Sequence, residues 1–160
     1  MDKLKYRKTI LDDIDHLVEN MRQEDVDEMI ASGSVPIDET LHRALRRSSK
    51  IITAIDFETD KPVFIGGIKP YTLLSKTGAP WMLGTTENYK YRRNLLKDVR
   101  EFLKEYLETY EEIYNYVHVK NEISIRWLKA LGFEFGEPAK FHRTGEYFMR
   151  FSMKRGDHNV

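Results

Sequence analysis

Two hydrophobic periods run along this chain, and the places where one gives way to the other outline its elements. From Ile113 to Val119 the string IYNYVHV sets Tyr114, Tyr116 and His118 against Ile113, Asn115, Val117 and Val119, a period-2 alternation of aromatic and β-branched residues that predicts a strand. Past Lys120 the pattern becomes helical. Ile123, Ile125, Trp127, Leu128 and Leu131 supply buried faces, and Asn121 stands where an N-cap belongs, its side-chain oxygen able to accept an N–H of the first turn. Gly132 closes the helix in a position suited to the left-handed conformation.

The same reading extends in both directions. Leu4 to Lys8 predicts a first strand, and Thr9 a cap for a helix carrying Leu11, Ile14, Leu17, Val18 and Met21. Val26, Met29 and Ile30 mark a second helix ended by Ser32-Gly33-Ser34, and Pro36 opens a third through Leu41, Ala44 and Leu45. Ile51–Phe57 and Val63–Tyr71 read as strands joined by a hairpin turn at Glu58-Thr59-Asp60-Lys61, with Gly66-Gly67 suggesting a bulge or a close backbone approach. A loop holding Ser75 to Pro80 leads to a fourth strand, Trp81 to Gly84. The longest helix follows, its stripe of Leu95, Leu96, Val99, Phe102, Leu103, Tyr106, Leu107 and Tyr110 aimed at the sheet. Phe133–Phe135 and Glu146–Met153 complete the set as antiparallel strands, and the polar tail from Lys154 to Val160 is expected to fray. The fourth strand, long helix and fifth strand make a parallel crossover unit, so the fold class is mixed α/β.

Composition narrows the classes of function. A chain of 160 residues with no internal repeat fits one domain, 1–160. Apolar residues at 41% and charged residues at 32% describe a soluble globular protein, and 26 basic against 26 acidic side chains give no net field toward nucleic acid or membrane. The absence of cysteine removes disulfides, thiolate metal sites and a cysteine nucleophile, which fits a reducing, cytoplasmic setting. The charged start MDKLKYRK lacks the apolar run of a signal peptide, and no segment approaches a membrane span.

The string Asn121-x-x-Ser124-Ile125-x-x-Leu128-x-x-Leu131-Gly132-Phe133 resembles the closing motif of the GNAT superfamily of acyl-CoA-dependent N-acyltransferases, and the element order agrees. The resemblance implies a GNAT-like, twisted mixed sheet of roughly six to seven strands flanked by helices. If acetyl-CoA or CoA is bound, it implies cofactor contacts at Leu83, Gly84, Thr85, Thr86, Lys90, Arg92, Arg93, Asn121 and Ser124. Two departures bear on activity. The family presents a glycine-rich loop to the pyrophosphate of coenzyme A, whereas no glycine occurs here between Gly84 and Gly132. The family's usual acid is a tyrosine five residues before the motif's phenylalanine, and that position is Leu128.

The remaining chemistry is sparse. His118 is the strand-five residue with a titration range suited to a base, although a lone histidine on an aromatic strand is more often packed or at the surface, and no partner to orient it is visible. His16, His42, His142 and His158 lack metal-ligand spacing, so no metal is expected. Lys90, Arg92, Arg93, Lys97 and Arg100 load the start of the long helix while Glu101, Glu105, Glu108, Glu111 and Glu112 load its end and the turn beyond, opposing the macrodipole. That basic start reads as a holder for an anion or acidic partner, or as a solvated face with pairs such as Lys97–Glu101. Tyr89 and Tyr91 interleaved with Lys90 and Arg92 could stack bases, a reading the zero net charge disfavours.

KEYLETYEEIYNYVHVKN, then IRWLKALG, then FHRTGEYFMRFSMKRG resembles a family of small tailed-phage internal virion or morphogenesis proteins with a GNAT-like fold, over about Asn88 to Gly156. That resemblance implies protein partners in virion assembly, a place in the host cytoplasm or the virion, possible homo-oligomers, and loss of catalysis. The alternative is a working acetyl-CoA-dependent N-acetyltransferase with an atypical cofactor loop and His118 in the catalytic role.

Overall fold

The computed structural model describes residues 3–156. Its order is β1 (Leu4–Lys8), α1 (Leu11–Asn20), α2 (Gln23–Ala31), α3 (Ile37–Arg47), β2 (Lys50–Asp56), β3 (Pro62–Pro70) and β4 (Thr77–Gly84). A 3-10 helix (Thr86–Tyr91) then runs directly into α4 (Arg92–Thr109), followed by β5 (Glu112–His118), α5 (Glu122–Leu131), β6 (Glu134–Phe135), β7 (Ala139–Lys140) and β8 (Tyr147–Lys154). The eight strands form one sheet in the order β1-β2-β3-β4-β5-β8-β6, with β7 also on β8. Every pairing is antiparallel except β4 with β5, as a crossover through α4 requires.

Period-2 alternation divides the core between the two faces. On one face α4 and α5 bury Leu95, Val99, Leu103, Leu107, Leu128 and Leu131 against Ala54, Phe64, Ile113, Val117 and Phe151. On the other, Ile14, Leu17, Met29 and Leu41 from α1, α2 and α3 close over Ile65, with Trp81 and Leu83 of β4 packed alongside. At α5 the expected caps are both present: Asn121 Oδ1 accepts the Ser124 N–H at 3.2 Å, and Gly132 takes φ 104°.

Several local expectations are corrected. Thr9 does not cap α1; it is buried with its hydroxyl on Thr53 Oγ1 at 2.8 Å, and Asp13 instead accepts the Ile10 N–H at 3.0 Å. The bulge suggested at Gly66-Gly67 lies instead near the start of β3, where Ala54 pairs with Phe64 and Ile55 with Pro62, while the glycines stay in register. The close approach there is real, since a Cβ on Gly67 would sit 2.7 Å from the Lys50 carbonyl oxygen. β4 begins at Thr77, because Thr77 pairs with β5 and residues 78–80 pair with β3 despite the turn-like Gly78 and Pro80. Where the superfamily resemblance implies a loop, over Thr85 to Tyr91, the chain is helical from Thr86 on, Thr85 Oγ1 capping it by accepting the Glu87 N–H at 3.3 Å. The two-residue β7 brings the strand count to eight. On α4 the ion pair is Lys104–Glu101 at 3.2 Å rather than Lys97–Glu101. Of the tail, residues 157–160 lie outside the described residues, as does His158.

Candidate functional site: a cleft between two parted strands

β4 and β5 pair only at Thr77–Glu112 and Gly78–Ile113, and then part. Pro80 sits just beyond and has no N–H to give a neighbouring strand. The bond from Thr85 N–H to the Val63 carbonyl at 3.0 Å fixes the phase of the β3–β4 ladder, so that Pro80, Met82 and Gly84 direct their backbone groups into the gap. On the facing strand the bond from Val119 N–H to the Tyr147 carbonyl at 3.1 Å does the same for Tyr114, Tyr116 and His118.

Most of these inward-facing groups already have partners. Asn115 Nδ2 donates to the Pro80 carbonyl at 2.9 Å, and its Oδ1 accepts the Tyr116 N–H at 2.9 Å. The Tyr71 hydroxyl donates to the Tyr114 carbonyl at 2.8 Å. At the wide end the Gly84 N–H donates to Asp25 Oδ2 at 2.8 Å, and its carbonyl accepts the Arg22 N–H at 3.1 Å. Across the gap Glu28 Oε1 accepts both the His118 N–H at 3.0 Å and Asn121 Nδ2 at 3.1 Å. In the parted stretch this leaves, among the described residues, the N–H and carbonyl of Met82 and the carbonyl of Tyr116 open.

The residues that seal the wide end come from the α1–α2 junction and were not singled out from sequence. Arg22 Nε donates to Asp25 Oδ2 at 2.9 Å, with side-chain exposures of 10% and 3%. Arg22 also reaches Ser124 Oγ on α5 at 3.4 Å, bridging the two walls. Burial raises the Asp25 carboxyl above the usual carboxylate range although Arg22 opposes it, and burial likewise raises Glu28 against the bonds it accepts. One signal was available: Asp25 and Met29, four apart, share a helical face, so an acid stands on an apolar stripe.

The gap opens into a cavity of about 860 Å³ whose wall includes Trp81, Met82, Leu83 and Trp127. Asp25 and Glu28 line it too, and Arg92, Arg93 and Arg126 stand at its margin. These three arginines are exposed and make no ion pair among the described residues. Below them the segment after β4 turns its backbone inward on itself: the Thr85 carbonyl accepts the Asn88 N–H at 3.0 Å, and the Tyr89 carbonyl accepts the Arg92 N–H. Asn88 folds back over Gly84 so closely that a Cβ there would meet its Nδ2 at 2.8 Å.

Of the candidate residues, Leu83, Arg92, Arg93 and Ser124 line the cavity. Gly84 and Thr85 are buried beneath it, and Thr86 is exposed on the 3-10 helix. Asn121 is a helix cap bonded to Glu28. Lys90 turns away toward Asp56, 4.0 Å from Oδ2, and lies 5.4 Å from the Tyr91 ring centroid. There the Tyr91 hydroxyl donates to Asp56 and holds its carboxyl down to about 2. His118 is 7% exposed and has the orienting partner that sequence did not reveal, its Nε2 lying 3.1 Å from Glu146 Oε1. Its ring tilts against Phe148 at 5.1 Å, on the sheet face away from α4 and α5. Among the described residues no group of three His, Cys, Asp or Glu is arranged to hold a metal, and no helix is long and apolar enough to cross a membrane.

This arrangement of one mixed sheet flanked by helices superposes on solved structures. The chain superposes on an acetyltransferase of the GNAT family from Bacillus anthracis with a TM-score of 0.69 at 15% identity, covering 97% of this chain and 99% of that one. It superposes on spermidine N-acetyltransferase from Vibrio cholerae in complex with CoA and spermine with a TM-score of 0.71 at 11% identity, covering 96% of each. The protein smu.2055 from Streptococcus mutans gives 0.69 at 17% identity, covering 94% and 98%. The chain therefore has the fold of the GNAT superfamily.

A family model described as bacteriophage T7, probable scaffold protein Gp13, matches residues 63–140, from β3 to β7 and a little under half of the chain. The match starts earlier and stops earlier than the expected span of Asn88 to Gly156. No curated protein matches the sequence.

Proposed function

We propose that this chain acts in phage particle assembly through protein contacts, with the cleft and its arginine margin receiving an acidic protein surface in place of an acyl-CoA. The observation that carries this reading is where the backbone donors go. A pyrophosphate cradle needs successive free amides at a helix start, and here the Asn88 and Arg92 N–H groups are spent inside the 3-10 turn while Gly84 is held by Asp25. Leu128, buried in the core where the superfamily resemblance implies a tyrosine, supplies no acid. The scaffold-family match supports the same direction, and a role in the host cell or the particle is consistent with it.

A second reading keeps acyl transfer, favoured by one feature: the parted strands enclose a cavity with room for a ligand. Arg92, Arg93 and Ser124 would then hold the cofactor, and the His118–Glu146 pair would supply the base.

Charge reversal separates the two. Arg92→Glu, Arg93→Glu and Arg126→Glu together are expected to cut particle production while the protein still folds, with His118→Ala leaving production intact. Full production by the reversed protein, with loss on removing His118, would reject the assembly reading.

A further inference from the structure

The molecule is polarised along its strands, with a hole at one end and a knob at the other. The cleft opens at the C-terminal end of β4, under Arg92, Arg93 and Arg126. At the opposite end, where β4 and β5 remain paired, the turn joining β3 to β4 carries Leu73 and Leu74 with exposures of 99% and 95%. Two adjacent, almost fully exposed leucines gain nothing for this chain alone and form an apolar tip.

Charge follows the same axis. α4 begins at the cleft and runs back over about 27 Å, at 1.5 Å per residue. Its far end is tied to the leucine turn by the Glu111 N–H, which donates to the Lys76 carbonyl at 2.8 Å. Glu111 is paired with Lys76 at 3.4 Å, and Arg155 donates to the carbonyls of Leu107 and Glu108. The carboxylates of Glu105 and Glu108 remain exposed and without an ion pair among the described residues. Arg92, Arg93 and Arg126 thus sit at the hole, and Glu105 and Glu108 toward the knob. This arrangement also gives a reason for a helix whose charges oppose its own macrodipole.

We infer that the partner of the cleft is a second copy of this chain, docked head to tail, with the Leu73–Leu74 tip entering the cleft and Glu105 and Glu108 facing Arg92, Arg93 and Arg126 of the next copy. The inference rests on the cleft being a protein-binding site, as proposed above. Such a contact is heterologous, so it leaves a knob and a hole free at the ends and builds rings or filaments.

Sedimentation velocity over a hundredfold range of protein concentration tests it. The average mass is expected to rise with concentration and to fall on adding salt, because the rim charges are exposed. Leu73→Asp with Leu74→Asp, and separately Arg92→Glu with Arg93→Glu, should each weaken association at least tenfold with unchanged melting. Mixed together, those two variants retain one competent contact between them and should form a dimer and nothing larger. Adding Glu105→Arg and Glu108→Arg to the arginine-reversed chain should restore assembly. A wild-type chain that stays monomeric throughout, or a leucine variant that assembles like wild type, would overturn the inference. Particle production in the charge-reversed phage is measured independently, so a monomeric chain whose reversal still blocks production would leave the cleft a protein site for another partner.

Discussion

Along its β3 edge, β4 holds seven register pairs, from Phe64–Gly84 to Pro70–Gly78; along its β5 edge it holds two. The first edge closes because Gly66 and Gly67 let backbones and the Trp81 ring approach without a Cβ between them. The second opens where Pro80 removes a donor, and it stays open because side chains satisfy what the missing ladder would have. A buried backbone group left without a partner costs about 1–3 kcal/mol, so Asn115, Asp25 and Glu28 are what make the parted stretch tolerable. The same caps occupy groups that a ligand lying along the strand would read. An opening and a binding site for an acyl-CoA are therefore different things in this molecule.

The contrast can be broken most severely at the sealed end of the gap. Asp25→Ala strands a buried guanidinium and frees the Gly84 N–H, with an expected loss of about 3–5 kcal/mol in denaturant unfolding. A loss below about 1 kcal/mol would mean that water replaces the carboxylate and that the pair does not hold the cleft. On the closed edge, Gly67→Val forces a side chain against the Lys50 carbonyl and the Trp81 ring, at an expected cost of about 1–3 kcal/mol. A neutral result would show that the β2–β3–β4 ladder can spread. Asn121→Ala removes a cap and the bond to Glu28 together, for about 0.5–2 kcal/mol with the upper half expected.

Acid sensitivity sharpens the comparison further. Glu28 is raised by burial, so its share of stability is complete below its unfolded value of about 4.3 and is lost as pH rises through the folded value. Glu28→Gln keeps an oxygen for His118 and Asn121 without the charge; its advantage over wild type should appear at neutral pH and vanish near pH 4. Asp56 behaves in the opposite sense. Held at about 2 chiefly by the Tyr91 hydroxyl, it stabilises above about 3.9, a share lost as pH falls toward 2. The smallest effect belongs to Arg92→Ala with Arg93→Ala, expected to change stability by no more than about 0.5 kcal/mol.

The helices, the capped start and glycine stop of α5 and the crossover through α4 were legible because each is written in neighbouring residues. Thr85 to Tyr91 was misread as loop since a missing glycine argues against a cradle without saying what replaces it; the threonine cap at Thr85 was the overlooked cue. The cleft's sealing could not be read locally. Asp25 lies 59 residues from Gly84, and Glu28 lies 90 and 93 from His118 and Asn121. β7 is too short to carry a period.

The fate of the backbone donors around Gly84 and the 3-10 turn is tested most directly by calorimetric titration of the purified chain with acetyl-CoA. The expected result is no saturable heat, or binding far weaker than micromolar. A dissociation constant in the low micromolar range or tighter, abolished by Arg92→Ala with Arg93→Ala, would contradict it and return the cleft to acyl transfer.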